Sequence, residues 1–116
     1  ALSERRLKRS PLRDVAGMIR SFHYAAYVSL FRYSEEFKKL EPWAVVWYKY
    51  ISGAFLRSYL DTVKDAPFIP KEKEELNAML KAYLLEKAVY ELGYELNNRP
   101  DWLLVPIRGI KSLLEG

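Results

Sequence analysis

From Leu12 to Leu30 the apolar residues Leu12, Val15, Ala16, Ile19, Phe22, Ala26 and Leu30 recur three and four places apart, the spacing that lines one face of an α-helix. Just before them, Ser10 supplies a side-chain acceptor for the unpaired first-turn amides, and Pro11 has no amide to leave unpaired. The pattern predicts a first helix from about residue 11 to about residue 32. Glu35 to Glu41 is charged and reads as a connection. Pro42 then opens a second helix carrying Trp43, Val46, Trp47, Tyr50, Ile51, Ala54, Phe55, Tyr59 and Leu60. Those side chains project nearly all round, which predicts a central place for this helix.

Ala66-Pro67-Phe68-Ile69-Pro70 is a turn or short extended link, since proline restrains both itself and the residue before it. Lys71 to about Leu96 forms the longest predicted helix, with Glu72, Glu74 and Glu75 at its positive amino end. Asn97-Asn98-Arg99-Pro100 ends it. Pro100 and Pro106 each begin a further short helix, and Ile107, Ile110, Leu113 and Leu114 are expected to seal the last one onto the body. No alternating strand pattern, internal repeat or low-complexity tract interrupts the series. The expected fold class is all-α, a helical bundle formed by one unit over residues 1–116.

Composition supports a packed unit. The 116 residues are 50% hydrophobic and 15% aromatic, enough to bury a core and unlike a disordered chain. The stretch 43–60 has a rival reading as a membrane span. Lys49 and Arg57 lie inside a segment barely long enough to cross, where either charge is costly, so no membrane is expected. The absence of cysteine excludes disulfides, thiolate metal sites and cysteine nucleophiles, and suits a reducing, cytoplasmic setting. No signal peptide is visible in the chain, which opens at Ala1 with charged rather than apolar residues and reads as a piece cut from a longer protein.

The net charge of +4 is concentrated at one end. Residues 1–13 hold Arg5, Arg6, Lys8, Arg9 and Arg13 against Glu4 alone, leaving 14 basic and 14 acidic side chains in the remainder. A basic arm of this kind suits a solvated lead or an acidic neighbouring surface. No groove-reading motif accompanies it, so nucleic acid is not an expected partner.

Catalytic parts are few. There is no glycine-rich phosphate loop and one histidine, His23, so a hydrolytic triad or zinc site lacks components. His23 falls on the apolar stripe of the first helix, between Ile19 and Ala26, and reads as a satisfied core histidine. Asp14 falls in the first turn and complements the helix dipole. Glu86, Glu91 and Glu95 can accept hydroxyl hydrogen bonds, although exposed ion pairs such as Glu91 with Lys87 explain the same spacing.

The segment 83–102 carries a denser pattern. At 100° per residue Tyr83, Lys87, Tyr90, Glu91 and Tyr94 fall on one side of the third helix, and Ala82, Leu85, Val89, Leu92 and Leu96 on the other. The aliphatic side is expected to pack and the tyrosines to stay free. Tyrosines at helical spacing also serve interhelical packing. Here they are followed at once by Asn97, Asn98, Arg99 and Trp102, the flat aromatic, amide, carboxylate and guanidinium groups that a sugar site requires.

Two blocks, residues 3–22 (Ser3-Glu4-Arg5-Arg6-Leu7-Lys8-Arg9-Ser10-Pro11-Leu12-Arg13-Asp14-Val15-Ala16 and on to Phe22) and residues 85–102 (Leu85-Glu86-Lys87-Ala88-Val89-Tyr90-Glu91-Leu92-Gly93-Tyr94-Glu95-Leu96-Asn97-Asn98-Arg99-Pro100-Asp101-Trp102), resemble the carboxy-terminal end of bacterial maltokinases, including maltokinase modules fused to trehalose synthase. The resemblance spans almost the whole chain and is weakest over residues 34–75. It implies a protein-kinase-like fold of the aminoglycoside phosphotransferase type, of which this chain is the helical subdomain of the carboxy-terminal lobe. The implied reaction transfers the ATP γ-phosphoryl group to the anomeric hydroxyl of maltose, giving maltose 1-phosphate for α-glucan synthesis.

The family's catalytic-loop histidine-glycine-aspartate stretch and its magnesium-binding Asp-Phe-Glu-Gly segment precede a Ser-Glu-Arg-Arg-like start and are absent here. ATP and Mg2+ would thus belong to the parent polypeptide, with no catalytic residue and no metal ligand in this chain, which alone is expected to be inert. The resemblance implies that Tyr90 and Tyr94 line the pocket for maltose or a related disaccharide, with Glu91, Asn97, Arg99 and Trp102 at its rim, and that Asp14 braces the catalytic loop. Implied partners are the sugar and the remainder of the kinase, with self-association where the missing lobe leaves apolar surface. The reading from another class is a helical protein-interaction module that docks through the tyrosine face and the aromatic helix 43–60.

Overall fold

The computed structural model describes residues 10–63 and 65–116. The basic arm of Arg5, Arg6, Lys8 and Arg9, and with it the start of the first resemblance block, lies outside them. Among the described residues there are no strands. The chain forms α1 (Pro11–Phe31), a 3-10 turn (Ser34–Glu36), α2 (Phe37–Val63), α3 (Lys73–Asn98), a second 3-10 turn (Pro100–Trp102) and α4 (Leu104–Glu115). The protein is an all-α helical bundle, and among the described residues no helix is long and apolar enough to cross a membrane.

The first helix starts where its cap predicts. The Leu12 amide donates to Ser10 Oγ at 3.3 Å, with Ser10 in extended conformation. α1 is the central helix, packing against α2, α3 and α4. Near its amino end Leu12, Val15, Ala16 and Ile19 join Leu80 and Tyr83 of α3, flanked by Phe55, Leu56 and Tyr59 of α2. Near its carboxy end Tyr27 and Leu30 join Val105 of α4, flanked by Phe37, Leu40 and Ala44 of α2. Each fully buried leucine or valine there stabilises the fold by about 1.5–3 kcal/mol. Between the two apolar clusters α1 buries two polar side chains, Arg20 and His23.

Four expectations from the pattern are corrected. α2 begins at Phe37, so Pro42 lies inside it and residues 37–41 are helix, not connection. Proline there leaves the Lys38 carbonyl without its usual partner. Phe37, Leu40 and Ala44 pack on the carboxy-end cluster, and Glu41 accepts from the Tyr27 hydroxyl and from Arg108 Nε at 2.9 Å. That packing outweighs the lost backbone bond.

Nor is α2 central. None of its residues is buried, and Trp43 and Tyr50 are 72% and 73% exposed. Aromatics distributed round a helix marked a wide apolar face but left its outer half without a partner.

The packing face of α3 differs from the expected one, although Tyr90 and Tyr94 stay exposed as the pattern predicts. Leu80, Tyr83, Ala88 and Glu95 are its buried residues, whereas Val89 and Leu96 are exposed. Tyr83 and the stems of Lys87 and Glu91 lie towards α1, because α1 offers Arg20 and Tyr24 as partners for the carboxylates of α3.

In α4 the inward residues are Val105, Pro106 and Gly109, while Ile107 and Leu114 are exposed. The helix starts at Leu104, two residues before Pro106, which still falls within the first turn where no amide is needed. Pro100 does begin a short turn of its own, Pro100–Trp102.

Candidate functional site

The seam between α1 and α3 carries most of the polar structure. Arg20 is 4% exposed, a charge that must be paired to be tolerated in the interior. Its Nε donates to both carboxylate oxygens of Glu91 at 3.0 Å, Nη2 reaches Oε1 as well, and Nη1 donates to His23 Nδ1 at 3.0 Å. Because arginine only donates, Nδ1 is the acceptor and His23 carries its proton on Nε2. Burial, and then the Arg20 charge, pushes the His23 pKa down to about 3. The ring sits between Tyr27 and Tyr48 at 4.9 and 4.8 Å between centroids. This is the satisfied core histidine that the apolar stripe predicts.

One turn further along, the Tyr24 hydroxyl donates to Glu95 Oε2 at 2.8 Å. Burial first, and the bond to Glu95 second, raise the Tyr24 pKa. Glu95 is fully buried and also accepts from Arg99 Nε at 2.8 Å and Nη2 at 3.0 Å. The same guanidinium lies 4.1 Å from the Trp102 ring centroid and 5.4 Å from that of Tyr94. Trp102 in turn meets Tyr24 and Phe31. A carboxylate inside thus fixes a cation outside, and that cation fixes two aromatic faces.

Along the same seam a cleft of about 630 Å³ opens between the helices. Its walls are Arg13, Gly17, Arg20, Ser21 and Tyr24 of α1 and Glu86, Lys87, Tyr90 and Glu91 of α3. Arg13 Nε meets Glu86 Oε1 at 3.1 Å at the mouth, where both side chains are well exposed. Lys87 lies across α1 at Gly17: a Cβ on Gly17 would meet its Cε and Nζ at 3.5 Å, an ordinary contact.

The predicted site residues divide into two neighbouring groups. Tyr90, 74% exposed, and Glu91 line the cleft. Tyr94, Arg99 and Trp102 form the stacked set beyond it. Asn97 is exposed and belongs to neither group; its neighbour Asn98 donates to the Tyr94 carbonyl at 2.9 Å. Glu91 pairs with Arg20 across the seam instead of with Lys87 along its own helix. Asp14 is exposed in the first turn of α1 outside the cleft walls, where its charge is felt by Tyr59 of α2.

Sequence reasoning missed Arg20 and Tyr24 as parts of this surface. A signal was present: Arg20 interrupts the inward stripe between Ile19 and His23, and a cation at that phase requires a buried anion opposite. Among the described residues no three His, Asp or Glu side chains converge as a metal site. No family model matches the chain, and no solved structure matches it.

Proposed function

We propose that this chain is the acceptor-sugar part of an ATP-dependent maltokinase, the helical subdomain of its carboxy-terminal lobe, whose parent converts maltose to maltose 1-phosphate. One observation supports this reading above others. The two sequence blocks that resemble maltokinases lie more than 60 residues apart, yet they face each other across the α1–α3 cleft, with Arg13, Gly17, Arg20 and Ser21 from the first and Glu86, Lys87, Tyr90 and Glu91 from the second. Tyr90 and Tyr94 keep exposed ring surface, as the apolar C–H faces of a sugar require, and Tyr94 lies beside a guanidinium held by Glu95.

In this proposal Tyr90 and Tyr94 stack on the disaccharide, and Arg99, Trp102, Asn97 and Glu91 border it. ATP, Mg2+ and the catalytic base are held by the parent polypeptide. The test is phosphorylation of maltose by the longer polypeptide with ATP and Mg2+. Maltose-dependent turnover is expected; its absence in a folded protein overturns the reading.

A second reading is favoured by a separate feature. Tyr33, Trp43 and Trp47 border an uncharged groove of about 560 Å³ between α1 and α2, a surface that the sugar reading leaves unused. An interaction module would engage a protein there, and its binding would be indifferent to maltose.

A further inference from the structure

The charges of the α1–α3 cleft do not balance. Glu91 is consumed by Arg20 in the floor, and Glu86 by Arg13 Nε at the mouth. Lys87 is left over. Among the described residues its ammonium group makes no ion pair, although it lies in the cleft over Gly17.

Two further donors face the same space. The Arg13 fork uses Nε for Glu86 and keeps its Nη groups available. The Tyr90 hydroxyl makes no hydrogen bond among the described residues and lines the cleft. An ammonium, a guanidinium and a phenol hydroxyl round one opening supply the donors that a group with several anionic oxygens requires, and they leave the ring face of Tyr90 for a sugar. Partial enclosure between two helices strengthens each contact relative to open water.

We propose that the α1–α3 cleft is a phosphoryl-anion site, with Lys87 as its principal contact and Arg13 and Tyr90 beside it. The phosphoryl group is that of inorganic phosphate or of a small phosphate ester. The inference stands on the cleft's charge and geometry and does not depend on the parent being a kinase. A floor already neutralised by Arg20 and Glu91 supplies rigidity, and the surplus cation supplies the attraction.

The test is calorimetric titration of the chain with inorganic phosphate, α-D-glucose 1-phosphate and D-glucose at low ionic strength. Lys87→Met retains the apolar stem over Gly17 while removing the charge, and helical content by circular dichroism verifies its fold. Lys81→Met, on the exposed part of the same helix, is the control. Both phosphate probes are expected to bind, about tenfold more weakly in Lys87→Met and unchanged in Lys81→Met, with affinity falling as salt is added. Tighter binding of the ester than of inorganic phosphate identifies an esterified ligand, and equal binding identifies free phosphate; both support the site. Phosphate probes that bind no better than glucose, or equally well to Lys87→Met, overturn it. Maltose turnover by the parent bears on the acceptor-sugar reading alone, so the two proposals fail separately.

Discussion

Gly109 of α4 lies directly on the guanidinium of Arg20 of α1: a Cβ at Gly109 would stand 2.5 Å from Nη1 and 3.0 Å from Cζ. Arg20 cannot yield, because Glu91 and His23 hold it from the other side. The last helix is therefore seated on the polar belt through a glycine.

Gly109→Ala is expected to destabilise the fold by about 1–3 kcal/mol, the usual cost of overpacking an unyielding site. In an open helix position the same change would stabilise by about 1 kcal/mol. The sign of the shift in a urea or thermal unfolding experiment decides between contact and open space. A more stable alanine variant would show that α4 does not press on Arg20.

Breaking the Arg20–Glu91 pair on one side leaves a charge in the interior without its partner. Glu91→Leu alone is expected to cost about 3–5 kcal/mol, while Arg20→Met with Glu91→Leu costs much less than the two single changes summed. A double-mutant cycle by chemical denaturation measures the coupling. Additive effects would mean that the pair contributes nothing beyond its separate contacts.

Helix number, the Ser10 cap and the inward stripe of α1 were legible because they depend on local spacing. Arg20 was overlooked, although its inward phase between Ile19 and His23 carried a signal of a buried partner. The side of α3 that packs was not legible, since Val89 and Leu96 are as apolar as any core residue and only the matching of Glu91 with Arg20 and Glu95 with Tyr24 turns the helix the other way. The depth of α2 was illegible for a related reason. Its aromatic residues specify apolar surface, and what covers that surface depends on tertiary packing that spacing cannot reveal. Within the predicted site, Tyr90 and Glu91 meet in the cleft and Tyr94, Arg99 and Trp102 meet beside it, but the link between the groups, Tyr24 to Glu95, joins helices that are distant in sequence.

His23 gives the fold an acid sensitivity above the ordinary carboxylate range. Its folded pKa of about 3 lies below the ordinary histidine value of 6.5, so the unfolded chain binds the proton first as pH falls. Its contribution is complete above pH 6.5 and is lost between there and pH 3, at up to about 1.4 kcal/mol per pH unit. Arg20, Tyr27 and Tyr48 surround the ring and offer no carboxylate to stabilise a second proton. Unfolding free energies measured from pH 7 to pH 5 should decline in the wild type and flatten in His23→Gln. Parallel profiles for the two would place the titrating group elsewhere.

Tyr90 and Tyr94 offer the most direct separation of binding surface from scaffold. Tyr90 is 74% exposed and makes no hydrogen bond among the described residues, so Tyr90→Ala should change stability by less than about 0.5 kcal/mol. Tyr94→Ala removes a ring from beside Arg99, which retains Glu95 and Trp102, so it too should fold normally. On the acceptor-sugar proposal, each loss of a stacking face in the longer polypeptide is expected to raise the KM for maltose about tenfold, equivalent to about 1.4 kcal/mol and near the upper end for one aromatic contact. On the same proposal kcat should be retained, since an acceptor surface would hold ground state and transition state alike and phosphoryl transfer would fall to residues outside this chain. Steady-state kinetics with maltose as the varied substrate separate the cases. A fall in kcat at unchanged KM would assign these tyrosines to positioning the reacting hydroxyl, and unchanged kinetics in both variants would remove the tyrosine face from the sugar site.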